Sequence, residues 1–457
     1  MIRVKAETPV YGGYVIARND GVVFVKGALP GETVLARTVE KKKDYSIAVT
    51  HEVLEPSPHR VEPFCGHFGE CGGCHLQHIA YAEQVSMKNA IIKDSLKRIS
   101  GIELEPGEPL TGSNTRYRHR AQFKLQAAGN PNDVMIGFFR EGTRDIVRIE
   151  RCPLLADAIN ESLGRIRLMP PSGAKEIHIT CGGMNSHEDM NMPKDMNMPK
   201  DMTVSGDMAV AGDMTMPGGD TSGSGDNYTL AAYLKGRGFD SPLASEYARA
   251  GFETVLFDDG NESGSGYCGR GYVSFDLLDF KYTVSPASFF QSNWELNQKA
   301  AGLVRELFSP FMAAGKDKDL LDIYAGGGNF SIPLSAAARR ITAIEENASS
   351  VKDGLRNLEL NGIRNMKFIT APFEKFQSKS SFDAAIVDPP RPGLSREAAK
   401  RLLALQPERL LYISCNPATL ARDVKKLLEK YRVESVRLVD FFPHTYHMEV
   451  LCLLVRK

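Results

Sequence analysis

The sequence predicts an α/β protein of several domains, and two observations carry this prediction. From residue 318 onward, apolar segments typical of strands alternate with helical patterns, which is the order of a doubly wound parallel sheet with helices on both faces. In the first 55 or so residues, by contrast, apolar and polar positions alternate between Asn-Asp-Gly and Pro-Gly turns. That pattern is typical of a small antiparallel β-barrel, similar to the OB-type modules that bind nucleic acids.

The chain is long enough for about two to four domains, and the pattern changes along it predict three. Residues 1–56 form the barrel, residues 57–275 a central α+β domain that begins with a cysteine-rich stretch and a helical one, and residues 276–457 the doubly wound α/β domain. We expect a monomer.

A methionine-rich insert interrupts the central domain at about residues 184–226. It holds nine of the sixteen methionines but hardly any Leu, Ile or Phe, so it offers little to bury and is expected to be flexible. A copper site of thioether ligands is one interpretation, and a tolerated surface insertion, which we prefer, is the other.

Composition excludes several classes of protein. The 457 residues contain 42% apolar and 25% charged residues without an apolar run of 18, so the sequence predicts neither a membrane-spanning helix nor a signal peptide, and we expect a cytoplasmic location. The formal net charge is zero, but Lys and Arg outnumber Asp and Glu by ten to four between Arg391 and Arg432. Local basic faces are therefore expected despite the balanced total.

A cofactor pocket is predicted in the α/β domain. The segment LLDIYAGGGNF, residues 320–330, is a strand that enters a glycine turn, where backbone amides can approach a ligand closely. A second strand ends at Glu345, whose carboxylate could bind ribose hydroxyls as in Rossmann-like domains. Asp388-Pro-Pro ends another strand and is similar to the substrate loop of nucleic-acid base methyltransferases, which favours S-adenosylmethionine over a nicotinamide cofactor.

Cys415 is the candidate nucleophile. It follows the strand ERLLYIS and precedes Asn416-Pro417, so the thiol is predicted at the carboxyl edge of the sheet rather than inside the core. An inert core cysteine is the alternative, and Cys452 in VLCLLV fits that description well.

Glu449 is the candidate base. It opens the last strand, and if that strand is antiparallel to its neighbours, Glu449 shares the edge with Cys415. A thiolate that adds to carbon 6 of uracil makes carbon 5 nucleophilic enough to take a methyl group, and a base must then remove the proton on carbon 5. The pair therefore predicts methylation of a pyrimidine at carbon 5, with His444 and His447 as less favoured bases.

Upstream, Cys65, Cys71 and Cys74 are separated by five and two residues in a glycine-rich loop that could wrap three thiolates around one centre. Cys152, followed by Pro, is the best candidate for a fourth ligand. From spacing alone, an iron–sulfur cluster and a structural zinc ion are equally good interpretations.

These motifs together resemble a known family. The segments SFFQSNWELNQ, DPPRPG, SCNPATLARD and HMEVLCLL resemble those of RNA uracil-5-methyltransferases, and CGHFGECGGCHLQH resembles the iron–sulfur branch of that family, which methylates 23S ribosomal RNA. The N-terminal segments GALPGE and KKKDYSIA look like a TRAM domain. The methionine-rich insert is not part of the family pattern.

The resemblance implies an enzyme that uses S-adenosylmethionine and one [4Fe-4S] cluster. The residues implied to contact the cofactor or the target base are Gln291, Tyr324, Asn329, Glu345 and Asp388. Cys415 and Glu449 would be catalytic, and the cluster ligands would be Cys65, Cys71, Cys74 and Cys152. Ribosomal RNA is the favoured partner; transfer RNA as the substrate, and an RNA-binding iron–sulfur protein without activity, are the alternatives.

Overall fold

A computed structural model describes residues 1–127, 134–167, 174–183, 228–236, 246–258, 265–269, 271–314, 317–378 and 380–457. The predicted insert at 184–226 lies outside the described residues. The chain divides into two compact units: the first comprises Met1–Asn114, Glu295–Glu346 and Arg364–Lys457, and the second Thr115–Trp294 and Asn347–Ile363. The three-domain division stays a prediction.

A closed five-stranded barrel opens the first unit, in agreement with the predicted fold. Its strands are β1 (Ile2–Val10), β2 (Tyr14–Arg18), β3 (Val22–Lys26), β4 (Thr33–Lys41) and β5 (Tyr45–Glu55), arranged in the order β1-β2-β3-β5-β4 with β4 paired back to β1. Alternate residues such as Val15 and Ala17 are buried, because successive side chains of a strand point to opposite faces.

A buried carboxylate ties the barrel to the segment that follows it. Glu32 accepts hydrogen bonds from the backbone amides of Leu29 (2.8 Å) and Ser57 (3.1 Å) and two from the guanidinium of Arg60 (2.7 Å each). Burial alone would raise the pKa of Glu32, but these hydrogen bonds outweigh it, so the pKa is lowered. The ionised side chain is thus part of the folded structure.

Helix α1 (Tyr81–Ser95) continues into a π-helical turn, Leu96–Ser100, which ends at Gly101 with a positive φ of 75°. The helix carries Lys88, which is almost fully buried and lies 2.6 Å from Asp440. The ammonium of Lys88 also donates to the carbonyl of Phe442 (3.1 Å). This buried ion pair anchors α1 to the segment just before the last strand.

An eight-stranded sheet forms the rest of the first unit. Its strands are β6 (Gly107–Leu110), β16 (Asp319–Ile323), β17 (Arg340–Glu345), β18 (Met366–Thr370), β19 (Ala384–Val387), β20 (Arg409–Ser414), β21 (Tyr431–Val439) and β22 (Glu449–Arg456). Their order is β18-β17-β16-β19-β20-β22-β21-β6, and the first five are parallel to one another. Strand β22 is antiparallel to β20, with Ser414 opposite Val450.

Three further helices, α3 (Trp294–Ala313), α5 (Arg396–Leu405) and α6 (Pro417–Leu427), accompany this sheet, and short 3₁₀ turns follow β16 and β18 at Ile332–Leu334 and Phe373–Lys375. Apolar residues of α1, α5 and α6, among them Ile92, Leu402 and Leu420, share one core with the strands. The doubly wound α/β fold predicted for this part of the chain is confirmed.

The second unit is built on a seven-stranded sheet of order β13-β12-β11-β10-β7-β8-β9. Its strands are β7 (Arg120–Ala127), β8 (Val134–Phe139), β9 (Ile146–Arg148), β10 (Ala174–Gly183), β11 (Tyr228–Gly236), β12 (Thr254–Asp258) and β13 (Ser265–Gly269). The pair β14 (Val273–Leu277) and β15 (Phe280–Val284) and the helices α2 (Asp157–Arg167) and α4 (Ala348–Leu360) complete the unit. Within the described ranges, no helix is long and apolar enough to cross a membrane.

Replacing Glu32 by Gln should lower the stability of the barrel by about 2–3 kcal/mol at pH 7, because it removes the charge that Arg60 and two backbone amides surround. The folded-state pKa of Glu32 lies below the unfolded value of about 4.3. The difference in stability between the wild type and Glu32→Gln is therefore largest above that value and disappears as the pH falls through the folded-state pKa.

Urea unfolding at pH 7 and at lower pH, followed by hydrogen exchange of the barrel strands, would measure this difference. Glu52→Gln is the matched control, because Glu52 is exposed on β5 of the same barrel. A stability difference of the same size for both variants, or one that does not shrink with falling pH, would contradict the role of Glu32.

Candidate active site

The predicted site residues of the first unit gather along one edge of the eight-stranded sheet. Parallel strands end at the same edge, and an antiparallel strand begins there. The residues at this edge are Tyr324 after β16, Glu345 at the end of β17, Asp388 after β19, Cys415 after β20 and Glu449 at the start of β22. The antiparallel direction of the last strand, on which the pairing of Cys415 with Glu449 depended, is present.

The glycine turn after β16 is shaped for close approach by a ligand. Tyr324, Gly326 and Gly328 all have positive φ angles, of 62°, 55° and 87°. A Cβ on Gly326 would meet open space, whereas a Cβ on Gly328 would lie 2.9 Å from the side chain of Ile332. Gly326 therefore faces room for a ligand, and Gly328 allows the turn to pack against the chain behind it.

Glu345 holds this turn in place. Its carboxylate accepts a hydrogen bond of 2.9 Å from the amide of Gly326, and the amide of Ala325 donates to the carbonyl of Ile344 (3.1 Å). The predicted ribose ligand is thus also the residue that fixes the glycine turn relative to β17.

Two further carboxylates lie beside Glu345. Burial raises the pKa of Asp322 to about 7, and the charge of Glu345 adds to the shift, although a hydrogen bond from Ser331 opposes it. Burial likewise raises the pKa of Asp388 to about 7, and Asp322 and Glu345 contribute by repulsion. A pocket that concentrates acidic groups in this way favours a cation, which would relieve the repulsion.

Asn329 makes a reciprocal pair of hydrogen bonds with Asn297 of α3. Each side-chain amide donates to the carbonyl oxygen of the other, at 2.7 and 2.9 Å. Asn297 is fully buried, so the pair fixes Asn329 at the end of the glycine turn. Asn297 could not be predicted as part of the site from the sequence, because its partner lies 32 positions away in another element.

The thiol of Cys415 lies between β20 and the first turn of α6. Asn416 caps this helix by accepting hydrogen bonds from the amides of Ala418 (3.0 Å) and Thr419 (3.4 Å). The side chain of Cys415 is partly exposed, as expected for a group that must reach a substrate. Burial raises its pKa to about 11, with repulsion from Glu449 and Asp388 adding to the shift and Arg391 opposing it.

Tyr11 of the barrel was not predicted to belong to this site. Its hydroxyl donates a 3.0 Å hydrogen bond to the carbonyl of Cys415, 404 residues later in the chain. Burial raises the pKa of Tyr11 to about 12, and Cys415, Tyr446 and Glu449 contribute to the shift. The barrel thus supplies a neutral phenol that fixes the backbone at Cys415.

Glu449 is buried, with 7% of its surface exposed, and its Oε2 has no hydrogen-bond partner among the residues that the structure describes. Burial raises its pKa well above the ordinary value, repulsion from Asp388 acts in the same direction, and Arg391 opposes both. An unpartnered buried carboxyl oxygen is costly to keep, and such groups mark functional sites.

The loop from Asp388 to Leu394 is fastened to α6 by Asp423, which is fully buried. The carboxylate of Asp423 accepts hydrogen bonds from the amide of Leu394 (2.8 Å) and the hydroxyl of Tyr412 (2.9 Å). A Cβ on Gly393 would lie 2.4 Å from Asp423, so only glycine fits there. Through this loop Asp423 positions Asp388 and Arg391, a function that the sequence did not predict.

The two histidines considered as alternative bases differ in setting. His444 is buried, and its backbone has a positive φ of 65°. The Nδ1 atom of its ring lies 3.1 Å from the side-chain amide nitrogen (Nε2) of Gln84. Burial lowers the pKa of His444 to about 4. Its carbonyl accepts hydrogen bonds from His75 and Leu76. His444 therefore joins the cysteine-rich loop to the C-terminal turn, while the His447 ring packs against Tyr446 with centroids 4.2 Å apart.

Three of the predicted cluster ligands, Cys65, Cys71 and Cys74, share that loop, and all three are partly exposed. Hydrogen bonds inside the loop, such as that from the amide of Cys71 to the carbonyl of His67 (2.9 Å), keep it compact. Throughout the described part of the chain, however, no three His, Cys, Asp or Glu side chains converge to hold a metal ion. The iron–sulfur domain of the predicted fold is therefore not confirmed.

Two predicted site residues belong to the second unit. Cys152 follows β9, and its amide donates to the side chain of Asn160 (2.8 Å). Gln291 lies between β15 and α3. Their roles as a cluster ligand and a cofactor contact stay predictions.

Comparison with known sequences agrees with this geometry. The family model described as tRNA (Uracil-5-)-methyltransferase matches residues 272–457. The chain is similar to an uncharacterized RNA methyltransferase of Aquifex aeolicus (strain VF5), at 32% identity over 99% of this chain and 98% of that one. It is also 30% identical to the 23S rRNA (uracil(1939)-C(5))-methyltransferase RlmD of Aeromonas salmonicida (strain A449), over 96% of this chain and 92% of that one.

A solved structure has a similar fold. It is that of the tRNA (uracil-54, C5)-methyltransferase of Pyrococcus abyssi in complex with S-adenosyl-L-homocysteine, with a TM-score of 0.71, 24% sequence identity, and coverage of 99% of this chain and 100% of that one. The resemblance predicted from the sequence is confirmed, and the chain belongs to the family of RNA (uracil-5-)-methyltransferases.

Proposed function

We propose that this enzyme transfers a methyl group from S-adenosylmethionine to carbon 5 of a uridine in 23S ribosomal RNA. The observation that carries the proposal is the placement of Cys415 just after β20 and of Glu449 at the start of the neighbouring antiparallel strand β22, at the edge where the parallel strands end. Methylation of an exocyclic amine needs neither a thiol nor a carboxyl at this position. The names of the relatives favour ribosomal over transfer RNA, and a cytoplasmic location would follow.

The acidic pocket fits the proposed cosubstrate. S-adenosylmethionine carries a methyl group on a positively charged sulfur, and that methyl leaves without the electron pair of its bond. Gly326 leaves room beside the turn, Glu345 and Asp388 would bind polar groups of the ligand, and a bound cation would relieve the repulsion among Asp322, Glu345 and Asp388.

Cys415 would act first. Its thiolate adds to carbon 6 of the uracil, and the electrons of the double bond move to carbon 5 and the carbonyl oxygen at position 4. Carbon 5 then forms the bond to the methyl group. Tyr11 and Asn416 hold the backbone on either side of the thiol, so the sulfur is positioned before the RNA arrives.

Glu449 would complete the reaction. Its carboxylate removes the proton from carbon 5, the electrons of that bond restore the double bond, and the sulfur of Cys415 leaves as a thiolate. Burial raises the pKa of both groups; repulsion from Glu449 and Asp388 adds to the shift of Cys415, and repulsion from Asp388 adds to that of Glu449. A cation bound beside Asp388 lowers both pKa values, so the reactive ionisation states are favoured when the cosubstrate is present.

We also propose that Cys65, Cys71, Cys74 and Cys152 bind one [4Fe-4S] cluster. Four thiolates are the usual donor set of such a cluster, and the cysteine spacing of the loop, with its resemblance to the iron–sulfur branch of the family, supports the proposal. Methyl transfer requires no electron transfer, so the cluster would serve folding or RNA binding and takes part in no step above.

The first prediction concerns the acidity of Cys415. With a pKa of about 11, the alkylation rate of this thiol by iodoacetamide should rise about tenfold per pH unit between pH 7 and 10 in the protein alone. Arg391→Gln should slow alkylation at each pH, because Arg391 lowers the pKa of the thiol. Mass spectrometry of the Cys415 peptide would measure the rates; a plateau near pH 8 would contradict the prediction.

The second prediction separates the two catalytic groups. Cys415→Ala should lose roughly a thousandfold or more in turnover and form no covalent RNA adduct, yet still bind S-adenosylmethionine, because the glycine turn is untouched. Glu449→Gln should instead accumulate the methylated adduct, visible as a protein–RNA band on a denaturing gel.

Wild-type protein with RNA that carries 5-fluorouridine at the target is the matched control for this adduct, since fluorine cannot leave as a proton. Cys452→Ala removes the buried thiol of the neighbouring strand and should retain activity. Adduct formation by Cys415→Ala would show that Cys415 is not the nucleophile, and a lack of adduct with both Glu449→Gln and the fluorinated RNA would refute the covalent route.

The third prediction concerns the cysteine-rich loop. Protein purified without oxygen should be brown and contain about four irons and four sulfides per chain. Cys71→Ser should lose them, whereas Cys181→Ala, which removes a buried thiol of β10, should keep them. Stoichiometric zinc without sulfide would contradict the cluster and favour a structural zinc site.

A further inference from the structure

A second polar cavity lies in the first unit, away from the catalytic edge. Its volume is about 520 Å³, and the residues that line it are Arg339, Arg340, Arg364, Asn365, Met366 and Lys367. Arg340 opens β17 and Met366 opens β18, so the cavity lies where these parallel strands begin. None of its residues belongs to the site described above.

Two of the arginines are held in place by one buried carboxylate. Asp319 accepts hydrogen bonds from Nε of Arg339 (2.9 Å) and from Nη2 of Arg340. The side chains of Arg339 and Arg340 nevertheless remain 51% and 47% exposed. Each guanidinium has five N–H donors, so most of them stay available while Asp319 limits the motion of the side chains.

On the side of the cavity formed by the start of β18, hydrogen bonds of Asn365 fix the backbone. The side-chain amide of Asn365 donates to the carbonyls of Ser335 (2.8 Å) and Ala338 (2.9 Å), and the backbone carbonyl of Asn365 accepts from the backbone amide of Ile341 (2.8 Å). These bonds fasten the start of β18 to the turn before β17. Arg364 and Lys367, on either side of Asn365, are exposed and make no ion pair within the described ranges.

The charge of the lining identifies the class of ligand. Four cationic side chains line the cavity, and among the described residues only one carboxylate, that of Asp319, forms ion pairs with them. Asp317 and Asp383 also act on Arg339, but neither lines the cavity. Arginine forks match the oxygens of a phosphate, and the lining offers no aromatic ring on which a base or a nucleoside could stack.

The distance between the cavity and the catalytic edge indicates which part of the RNA the cavity could contact. Strand β17 runs from Arg340 at the cavity to Glu345 at the catalytic edge. Its length, at about 3.3 Å per residue, separates the two sites by roughly 17 Å. A nucleotide of a helical strand spans about 3.4 Å, so this distance corresponds to about five nucleotides or more between the target uridine and the RNA that contacts the cavity.

We propose that this cavity is a second RNA contact, which binds backbone phosphates of a segment remote from the methylated uridine. The inference rests on the proposed function only in taking RNA as the substrate. Phosphate contacts of this kind add affinity and fix orientation without reading the sequence. The cavity would therefore select for long, structured RNA over a short target hairpin.

The test compares two double variants on two RNAs. Arg364→Gln with Lys367→Gln removes two charges, and Arg364→Lys with Lys367→Arg keeps them. The first RNA is a short target stem–loop that extends no more than about four nucleotides from the uridine on each side, so it ends before the expected contact. The second RNA is the same stem–loop extended at both ends with the flanking 23S ribosomal RNA sequence. Filter binding at several salt concentrations gives Kd and its salt dependence, and methylation assays give KM and kcat.

The charge-removing variant should bind the extended RNA about tenfold more weakly at 0.1 M salt, and the slope of log Kd against log salt should fall by roughly 1.5. KM should rise with kcat unchanged, the short stem–loop should be unaffected, and the charge-preserving variant should resemble the wild type. Equal binding of the extended RNA by the wild type and the charge-removing variant would overturn the proposal.

Equal weakening on both RNAs would overturn it as well, because the contact would then not lie outside the stem–loop. Failure of the proposed function gives a different result, in which the wild type methylates neither RNA. Filter binding needs no methyl transfer, so it tests the cavity in that case too, and an unchanged thermal midpoint of the variants excludes misfolding as the cause.

Discussion

The antiparallel pairing of the last strand with β20 is the constraint on which the site depends. A parallel sheet can bring only the ends of its strands to the ligand-binding edge, and the start of a strand reaches that edge only when its direction is reversed. With Ser414 opposite Val450, the first residue of β22 lies beside the first residue after β20. Cys415 and Glu449, the proposed nucleophile and base, thus lie at the same edge of the sheet although 34 positions separate them in the chain.

The thiol of the candidate site lies among carboxyl groups, and such surroundings are unusual for a reactive cysteine. Reactive cysteines commonly lie in electropositive surroundings that stabilise the thiolate, whereas Cys415 is surrounded by Glu449 and Asp388, with Arg391 as the opposing charge. The arrangement becomes consistent if a cation completes the pocket. Binding of the cationic methyl donor and ionisation of Cys415 would then favour each other, because the pocket would bind the cation more tightly when Cys415 is ionised.

Much of the fold and of the reactive pair could be predicted from the sequence. Cys415 ends an apolar strand at Asn-Pro, and Glu449 opens one, so both positions relative to the sheet follow from local pattern. The hydrogen bond from Tyr11 could not be predicted, since it joins residues 404 positions apart and depends on how the barrel packs. The same holds for Asp423, whose neighbours Leu394 and Tyr412 come from a loop and another strand.

The most direct test of the central claim is the fate of the hydrogen on carbon 5 of the target uracil. RNA labelled with tritium at that position should release one tritium to water for each methyl group that wild-type protein incorporates, because C5 methylation replaces that hydrogen. Release and methylation in a ratio of one would agree with the reaction assigned to Cys415 and Glu449. Methyl incorporation without tritium release by the wild type would contradict it, because the methyl group would then be on another atom.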